Sequence, residues 1–144
     1  MAPLLFFGLL SLLEISMLAM MTSGLDNAVL EASRRIRTNR DDVATSAAAF
    51  KDQICDQLGG DLVSCRSRVA IGVQRFSKFI DAGSVATSPP DGSFNAGHAG
   101  DIIIVKVDYQ WPLMTPFLAT AFGRSGPMSV TLGSRLAFKN EPYQ

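Results

Sequence analysis

The first part of the chain is a long apolar run that predicts a membrane-spanning helix. Residues 3–21 carry a single charge, Glu14. A helix of this length extends about 28 Å, close to the roughly 30 Å of a bilayer hydrocarbon core. A cleaved signal peptide is the competing interpretation, but the segment has no Lys or Arg and only a poor cleavage site near Ala19. A buried core helix fits less well, because apolar residues occur all round it.

The apolar run continues into a second, amphipathic stretch over residues 22–37. Apolar residues recur there every three or four positions, at Leu25, Ala28, Val29, Ala32 and Ile36. This spacing predicts a helix with one buried face. The two stretches together predict an anchor over residues 1–22 and a stalk over residues 23–39 that ends at Thr38-Asn39. Gly24 allows a bend, since glycine weakens a helix by about 1 kcal/mol relative to alanine.

A second helix is expected within residues 41–58. Its apolar residues share one face and are Val43, Ala47, Phe50, Ile54 and Leu58. Either Asn39 or Ser46 can cap its start, and the pattern does not decide between them. The pair Gly59-Gly60 marks its end.

Three later segments alternate apolar and polar residues in the manner of half-buried β-strands. They cover residues 68–74, 101–111 and 128–139. One apolar face per strand indicates an antiparallel sheet. Residues 81–100 are rich in Gly, Ser, Ala and Pro and predict a mobile surface loop, and Thr115-Pro116 predicts a short helix over residues 117–122. The pattern predicts an α+β fold in which a long N-terminal helix precedes a domain over residues 40–144. This domain contains the second helix and the small antiparallel sheet.

Composition and charge exclude several classes of function. The chain has 144 residues, 47% of them hydrophobic and 18% charged, which is incompatible with disorder throughout. Thirteen basic residues balance thirteen acidic ones, so no net positive charge indicates a nucleic-acid partner. There is no phosphate-binding loop, dinucleotide fingerprint or metal motif. We therefore expect no cofactor, no metal and no small-molecule substrate.

The two cysteines suggest a disulfide. Cys55 and Cys65 are ten residues apart, on either side of a Gly-Gly turn. If oxidised, the bond would stabilise the chain by roughly 2–3 kcal/mol and fit a compartment outside the cytosol. Two unrelated buried thiols are the alternative. A redox-active pair is not expected, because the spacing is not C-x-x-C.

Glu14 is the candidate assembly residue, because a carboxyl group within a membrane costs a few kcal/mol unless it is neutral or paired. Its expected partners are a cation or amide on another helix, or a backbone carbonyl if the group is protonated. The alternative is a position near one membrane surface, facing water.

Few residues suggest catalysis. His98 is the only histidine, and no G-x-S-x-G sequence accompanies it. The basic cluster formed by Arg34, Arg35, Arg37 and Arg40 can contact lipid phosphates or acidic partners, or simply be a solvated helix end. We expect a non-catalytic protein, with no catalytic residues.

Several stretches in order resemble the TadE-like family of pseudopilins, which take part in assembly of tight-adherence (type IVc) pili. They are FGLLSLLEIS around Glu14, EASRRIRTN over residues 31–39, FKDQIC followed by Cys65, GDIIIVKVDYQWPLMTP over residues 100–116, and SRLAFKNEPY over residues 134–143. Together they extend from residue 7 to residue 143, so the resemblance spans nearly the whole chain.

The resemblance implies a single-pass protein of the bacterial inner membrane with its C-terminal domain in the periplasm. Its partners would be other pilin-like and pilus-assembly proteins and membrane lipid, and Glu14 would pack with neighbouring helices. Family members carry a basic leader and a Gly five residues before a processing-site Glu. Here the fifth residue after Gly8 is Leu13, so Glu14 resembles the family's second, deeper glutamate. The native start is therefore expected upstream, or the gene is truncated, or this member is not processed.

Topology and function retain alternatives. The basic cluster lies beyond the apolar run and, by the positive-inside rule, favours a cytoplasmic C-terminal part. An upstream basic leader would outweigh it, and the cysteines favour the periplasm. The rival functions are a membrane-anchored hydrolase using His98 and a secreted binding protein with a cleaved leader.

Overall fold

The computed structural model, which describes residues 2–60, 64–78, 89–121 and 128–142, packs helices against one face of a small sheet. Its elements are, in order, α1 (Ala2–Arg37), α2 (Ala47–Gln57), α3 (Cys65–Arg68), β1 (Val69–Phe76), β2 (Ile102–Pro112), α4 (Pro116–Ala121) and β3 (Ser129–Lys139). The strands pair antiparallel in the order β1-β2-β3. The predicted α+β fold is confirmed.

Helix α1 is continuous over 36 residues, and its two halves lie in different surroundings. In the second half, Leu25, Val29 and Ile36 are at most 2% exposed and pack with α2 and the sheet in the core. This confirms the amphipathic stripe. It also places the predicted stalk inside the domain, because the buried stripe is the core face of α1. The second half of α1 therefore belongs to the same core as the domain, and the packing shows no separation between a stalk and a domain at residue 39.

The ends of the first two helices are set by identifiable caps. Asn39 has a φ of +45° and ends α1, where the Arg40 N–H donates to the Arg35 carbonyl at 3.2 Å. This is the six-to-one bond typical of a helix closed by a left-handed residue. Ser46 caps α2, because its hydroxyl accepts from the Ala49 N–H at 3.2 Å. Of the two predicted caps for the second helix, the structure selects Ser46.

The inner face of the sheet is centred on β2. Ile103, Val105, Val107 and Tyr109 of this strand are completely buried. The predicted alternation is therefore correct in β2. In β3 the same inward face is only half buried, because this strand forms the edge of the three-stranded sheet. The register places Leu136 opposite Val105, which fixes β3 on the core.

The segment after the undescribed residues 79–88 lies along the other edge of the sheet. The Gly92 N–H donates to the Ile71 carbonyl at 2.7 Å, and the Asn95 N–H donates to the Val73 carbonyl at 3.0 Å. These bonds cover backbone groups that an edge strand would otherwise leave open to another chain. The first part of the predicted mobile loop, residues 81–88, lies outside the described residues. Its second part pairs with β1 instead of extending into solvent.

Lys106 on the outer face of β2 connects this segment to the sheet. Its Nζ lies 3.0 Å from Asp108 Oδ2 and 3.4 Å from Asp91 Oδ1. The hydrogen bond to Asp108 raises the pKa of Lys106, against the opposing effect of desolvation. Lys106 is therefore a charged link between Asp91 and the sheet at neutral pH.

Cys55 and Cys65 lie at disulfide distance, as the sequence predicts for an oxidised chain. Their Cα atoms are 5.5 Å apart, and neither residue is exposed. Gly59 and Gly60 have φ values of +98° and +58°, which let the chain turn back after α2. The cysteines thus join the end of α2 to the start of α3, beneath the sheet.

We predict that replacing both cysteines with alanine lowers the free energy of unfolding by about 2–3 kcal/mol, because the open chain regains loop entropy. Urea unfolding of the chain in detergent measures this loss. Dithiothreitol should destabilise the parent protein by a similar amount and leave the double variant unchanged. Equal stability of the parent protein with and without reductant would contradict the prediction.

We also predict that Gly72→Ala weakens the attachment of residues 89–95. A Cβ atom at Gly72 would lie 2.8 Å from the carbonyl oxygens of both Pro89 and Pro90. Such an overlap costs about 1–3 kcal/mol when backbone must shift. Hydrogen exchange should show faster loss of protection at Gly92 and Asn95.

The matched control is Gly24→Ala in α1, where a Cβ atom would lie at an ordinary 3.5 Å from Leu58. Its expected effect is neutral or stabilising, because alanine favours the helix. Unchanged protection in the Gly72 variant would show that Pro89 and Pro90 do not lie over this residue.

Candidate functional site

Glu14 is buried on an otherwise uncovered stretch of α1. Only 5% of this residue is exposed, whereas Leu13 and Ile15 on either side of it are among the exposed hydrophobic residues. The residue lies where the domain first reaches the helix, one turn before the buried Leu18. Glu14 therefore marks the point at which α1 passes from its free half to its packed half.

The carboxyl group of Glu14 binds the backbone of the segment between β2 and α4. The Met114 N–H donates to Oε1, and the Thr115 N–H donates to Oε2 at 2.9 Å. Both donors come from residues about one hundred positions later in the chain. The two oxygens thus hold the start of α4 against α1 in a bidentate contact, which we call the Glu14 clasp.

The clasped segment is held on its other sides as well. The Leu113 N–H donates to the Met128 carbonyl at 2.8 Å, which ties the end of β2 to the start of β3. The side chains of Leu113, Thr115 and Leu118 are buried, whereas Met114 points outward and is 75% exposed. Pro116 begins α4, as the sequence predicts for the short helix. The segment is therefore rigidly positioned and exposes one large apolar side chain.

A groove of about 430 Å³ lies beside the Glu14 clasp. Its walls are mostly apolar and come from both α1 and the domain: Leu10, Leu13, Met17, Met20, Trp111 and Met114. The ring of Trp111 contacts that of Tyr109 at a centroid distance of 6.2 Å. Among the described residues, the enclosed indole Nε1 of Trp111 has no hydrogen-bond partner. The groove is thus suited to apolar occupants.

The environment of Glu14 differs from what the sequence suggested. We expected a partner on another helix, a backbone carbonyl or water, and the structure instead provides two backbone N–H groups of the same chain. Contact between Glu14 and a second protein stays a prediction. No spacing in the sequence could have identified Met114 and Thr115 as partners, because hydrogen bonds to backbone groups do not depend on side-chain identity.

Helix α1 has the length and composition of a membrane span. Only 11% of its most apolar 18-residue window is buried, in contrast to the core helix of a water-soluble domain. Met20, close to the end of the apolar run, is 81% exposed. The helix fits a single-pass anchor.

The other candidate residues lie away from the Glu14 clasp. The His98 side chain is 85% exposed, with Nδ1 3.8 Å from Asp101 Oδ2. The same carboxyl group is engaged by the guanidinium of Arg75 at 3.1 Å. Within the described ranges, no group of three or more His, Cys, Asp and Glu side chains could hold a metal ion.

The basic cluster is paired within the domain. Arg35 lies 3.0 Å from Asp42, and Arg37 lies 3.4 Å from Glu141. These pairs join the end of α1 to neighbouring parts of the chain, at surface positions where such bridges contribute little stability. The cluster is at least partly occupied by acidic partners of its own chain.

No protein-family model, curated protein or solved structure matches the chain. The fold and the site by themselves define an α+β protein whose first helix has a free apolar half, with a carboxyl-to-backbone clasp at the boundary between the two halves.

We predict that Glu14→Leu destabilises the clasped segment, because the N–H groups of Met114 and Thr115 lose their acceptors. Leaving such groups unpaired costs about 2 kcal/mol. Hydrogen exchange followed by mass spectrometry should show faster exchange over residues 113–118, while the core strands stay protected.

Glu14→Gln should have an intermediate effect, because it keeps one oxygen acceptor and turns an NH₂ group toward the second donor. Leu12→Ala is the matched control on the exposed side of α1 and should leave exchange unchanged. Parent-like exchange in Glu14→Leu would mean that the clasp does not hold the segment.

Proposed function

We propose that this chain is a non-catalytic, membrane-anchored pseudopilin that takes part in assembly of a tight-adherence (type IVc) pilus. In this proposal α1 crosses a bacterial inner membrane once, and the α+β domain lies in the periplasm. The partners are other pilin-like and pilus-assembly proteins together with membrane lipid.

The observation that carries the proposal is the division of α1 into a free apolar half and a packed half. Large apolar side chains of the free half are exposed around the whole helix, as the consecutive residues Leu5, Phe6 and Phe7 show. A surface of this size is stable only in lipid or against other apolar helices. Helix α1 continues without a break into the folded domain. It therefore connects the domain rigidly to any molecule that the free half contacts.

Two further observations support the proposal. The first and fourth of the resembling stretches, FGLLSLLEIS and GDIIIVKVDYQWPLMTP, meet in space at the Glu14 clasp. The cysteine pair at disulfide distance suits an oxidising compartment such as the periplasm.

The two rival functions receive less support. A hydrolase using His98 would need an oriented, sheltered imidazole, whereas this ring is open to water and its nearest carboxyl group is engaged by Arg75. A secreted protein that lost residues 1–22 as a leader would also lose Glu14 and the contacts that hold Met114 and Thr115. Through the clasp, the N-terminal helix contributes hydrogen bonds that hold the fold together.

We predict that the free half of α1 contacts other pilin-like helices in native membranes. A photo-crosslinking amino acid at the exposed Leu12 should give discrete adducts with single-pass pilus-assembly proteins, identified by mass spectrometry. The matched control carries the same probe at Ala48, an exposed position of α2 in the domain.

Adducts with such proteins from position 12 and not from position 48 would support the proposal. Adducts with lipid alone from position 12 would contradict a role in helix assembly. The same preparation gives the N-terminus of the native chain, and a mature protein that lacks α1 would contradict the anchor itself.

A further inference from the structure

We propose that the clasped segment, residues 113–115 between β2 and α4, is a second membrane contact, which inserts into the bilayer beside α1. Lipid acyl chains would fill the groove between α1 and Trp111. The inference rests on the proposed anchoring of α1 and adds where the domain sits relative to the lipid.

The first observation behind the proposal is the position of the Glu14 clasp along α1. Met17 and Met20 follow Glu14 by about 5 and 9 Å along the helix axis, in the direction of the domain. Both side chains remain exposed, Met20 at 81%. A membrane position that places Met20 in lipid therefore places Glu14 deeper still. Met114, held at the level of Glu14, lies in lipid with it.

Backbone hydrogen bonding is the second step. In lipid, an unpaired N–H group costs several kcal/mol, and irregular backbone is therefore excluded unless its groups are satisfied. Pro112 and Pro116 have no N–H group. Between them, Leu113 donates to Met128, and Met114 and Thr115 donate to Glu14. Every backbone N–H group between residues 112 and 116 thus has an acceptor, as backbone at membrane depth requires of its donors.

The distribution of charge is the third step. Between Asp108 and Arg135 the sequence has a single charged residue, Arg124. The basic cluster at the end of α1 begins with Arg34, about 30 Å along the helix from Glu14. The clasped segment itself therefore has no charged side chain. The charged residues Arg66 and Arg68 of α3 lie further from it, next to the start of β1, which pairs with Tyr109.

The chain contains a single tryptophan, and it lies in the groove, so its fluorescence tests the proposal directly. The full-length protein is reconstituted into phosphatidylcholine–phosphatidylglycerol vesicles, with or without lipids brominated in the upper acyl chain. We expect brominated lipid to reduce Trp111 emission to about half or less, as for an indole at the membrane interface.

The matched control moves the indole to the opposite end of the sheet in the double variant W111F/F138W. Phe138 pairs with Ile103, eight residues from Trp111 along β2 and thus about 27 Å away. Its emission should be insensitive to bromine. A second variant, Met114→Asp, should reduce the quenching of Trp111 while the protein still sediments with the vesicles.

The outcomes separate two claims, the insertion of this segment into lipid and the anchoring of the chain by α1. Quenching of Trp111 and not of the control supports insertion of the clasped segment. No quenching in vesicle-bound protein overturns the inference and leaves α1 as the anchor. Failure to bind the vesicles overturns both proposals. Equal quenching of both positions overturns the oriented contact, because the indole would then meet lipid wherever it lies.

Discussion

The structure depends on the packing of one stripe of α1 against the sheet. Leu25, Val29 and Ile36 supply the core face that the inner residues of β1 and β2 cover. The single apolar face of a three-stranded sheet has to be buried against another element, and here a helix covers it. The same helix carries the apolar run. The packing that fixes α1 in the domain therefore also fixes the direction in which the free half of α1 projects from the domain.

The Glu14 clasp resolves a conflict between two requirements at the boundary of that packing. The chain must leave the sheet and return between β2 and β3, and the turn exposes backbone groups beside an apolar helix. A carboxyl group accepts two N–H groups at once, which a backbone carbonyl or a hydroxyl would not do with the same geometry. Glu14 thus provides hydrogen-bond acceptors for two backbone N–H groups of an irregular segment. These two hydrogen bonds offset the free-energy cost of placing a carboxyl group among apolar residues.

Much of the fold can be predicted from the local pattern of apolar and polar residues, whereas the site cannot. The period of the apolar residues predicts the main helices and all three strands, because each of these elements buries one face. The choice of Ser46 over Asn39 needed the structure, since Asn39 has the left-handed conformation that closes α1. The Glu14 clasp joins positions that only the tertiary fold brings together, and its donors are backbone atoms that leave no trace in the sequence. The pairing of residues 92–95 with β1 escaped prediction for the same reason.

These contacts change how the chain is divided. The apolar pattern predicts an anchor, a stalk and a domain in series. A stalk has to be free on all sides, and here residues 25–36 form the core of the domain while Glu14, within the predicted anchor, binds its turn. The free length of α1 before the domain begins is therefore set by Glu14 and not by the last apolar residue, Met21. The domain is therefore joined to α1 from Glu14 onward, by the clasp at one end and by the buried stripe along the rest of the helix.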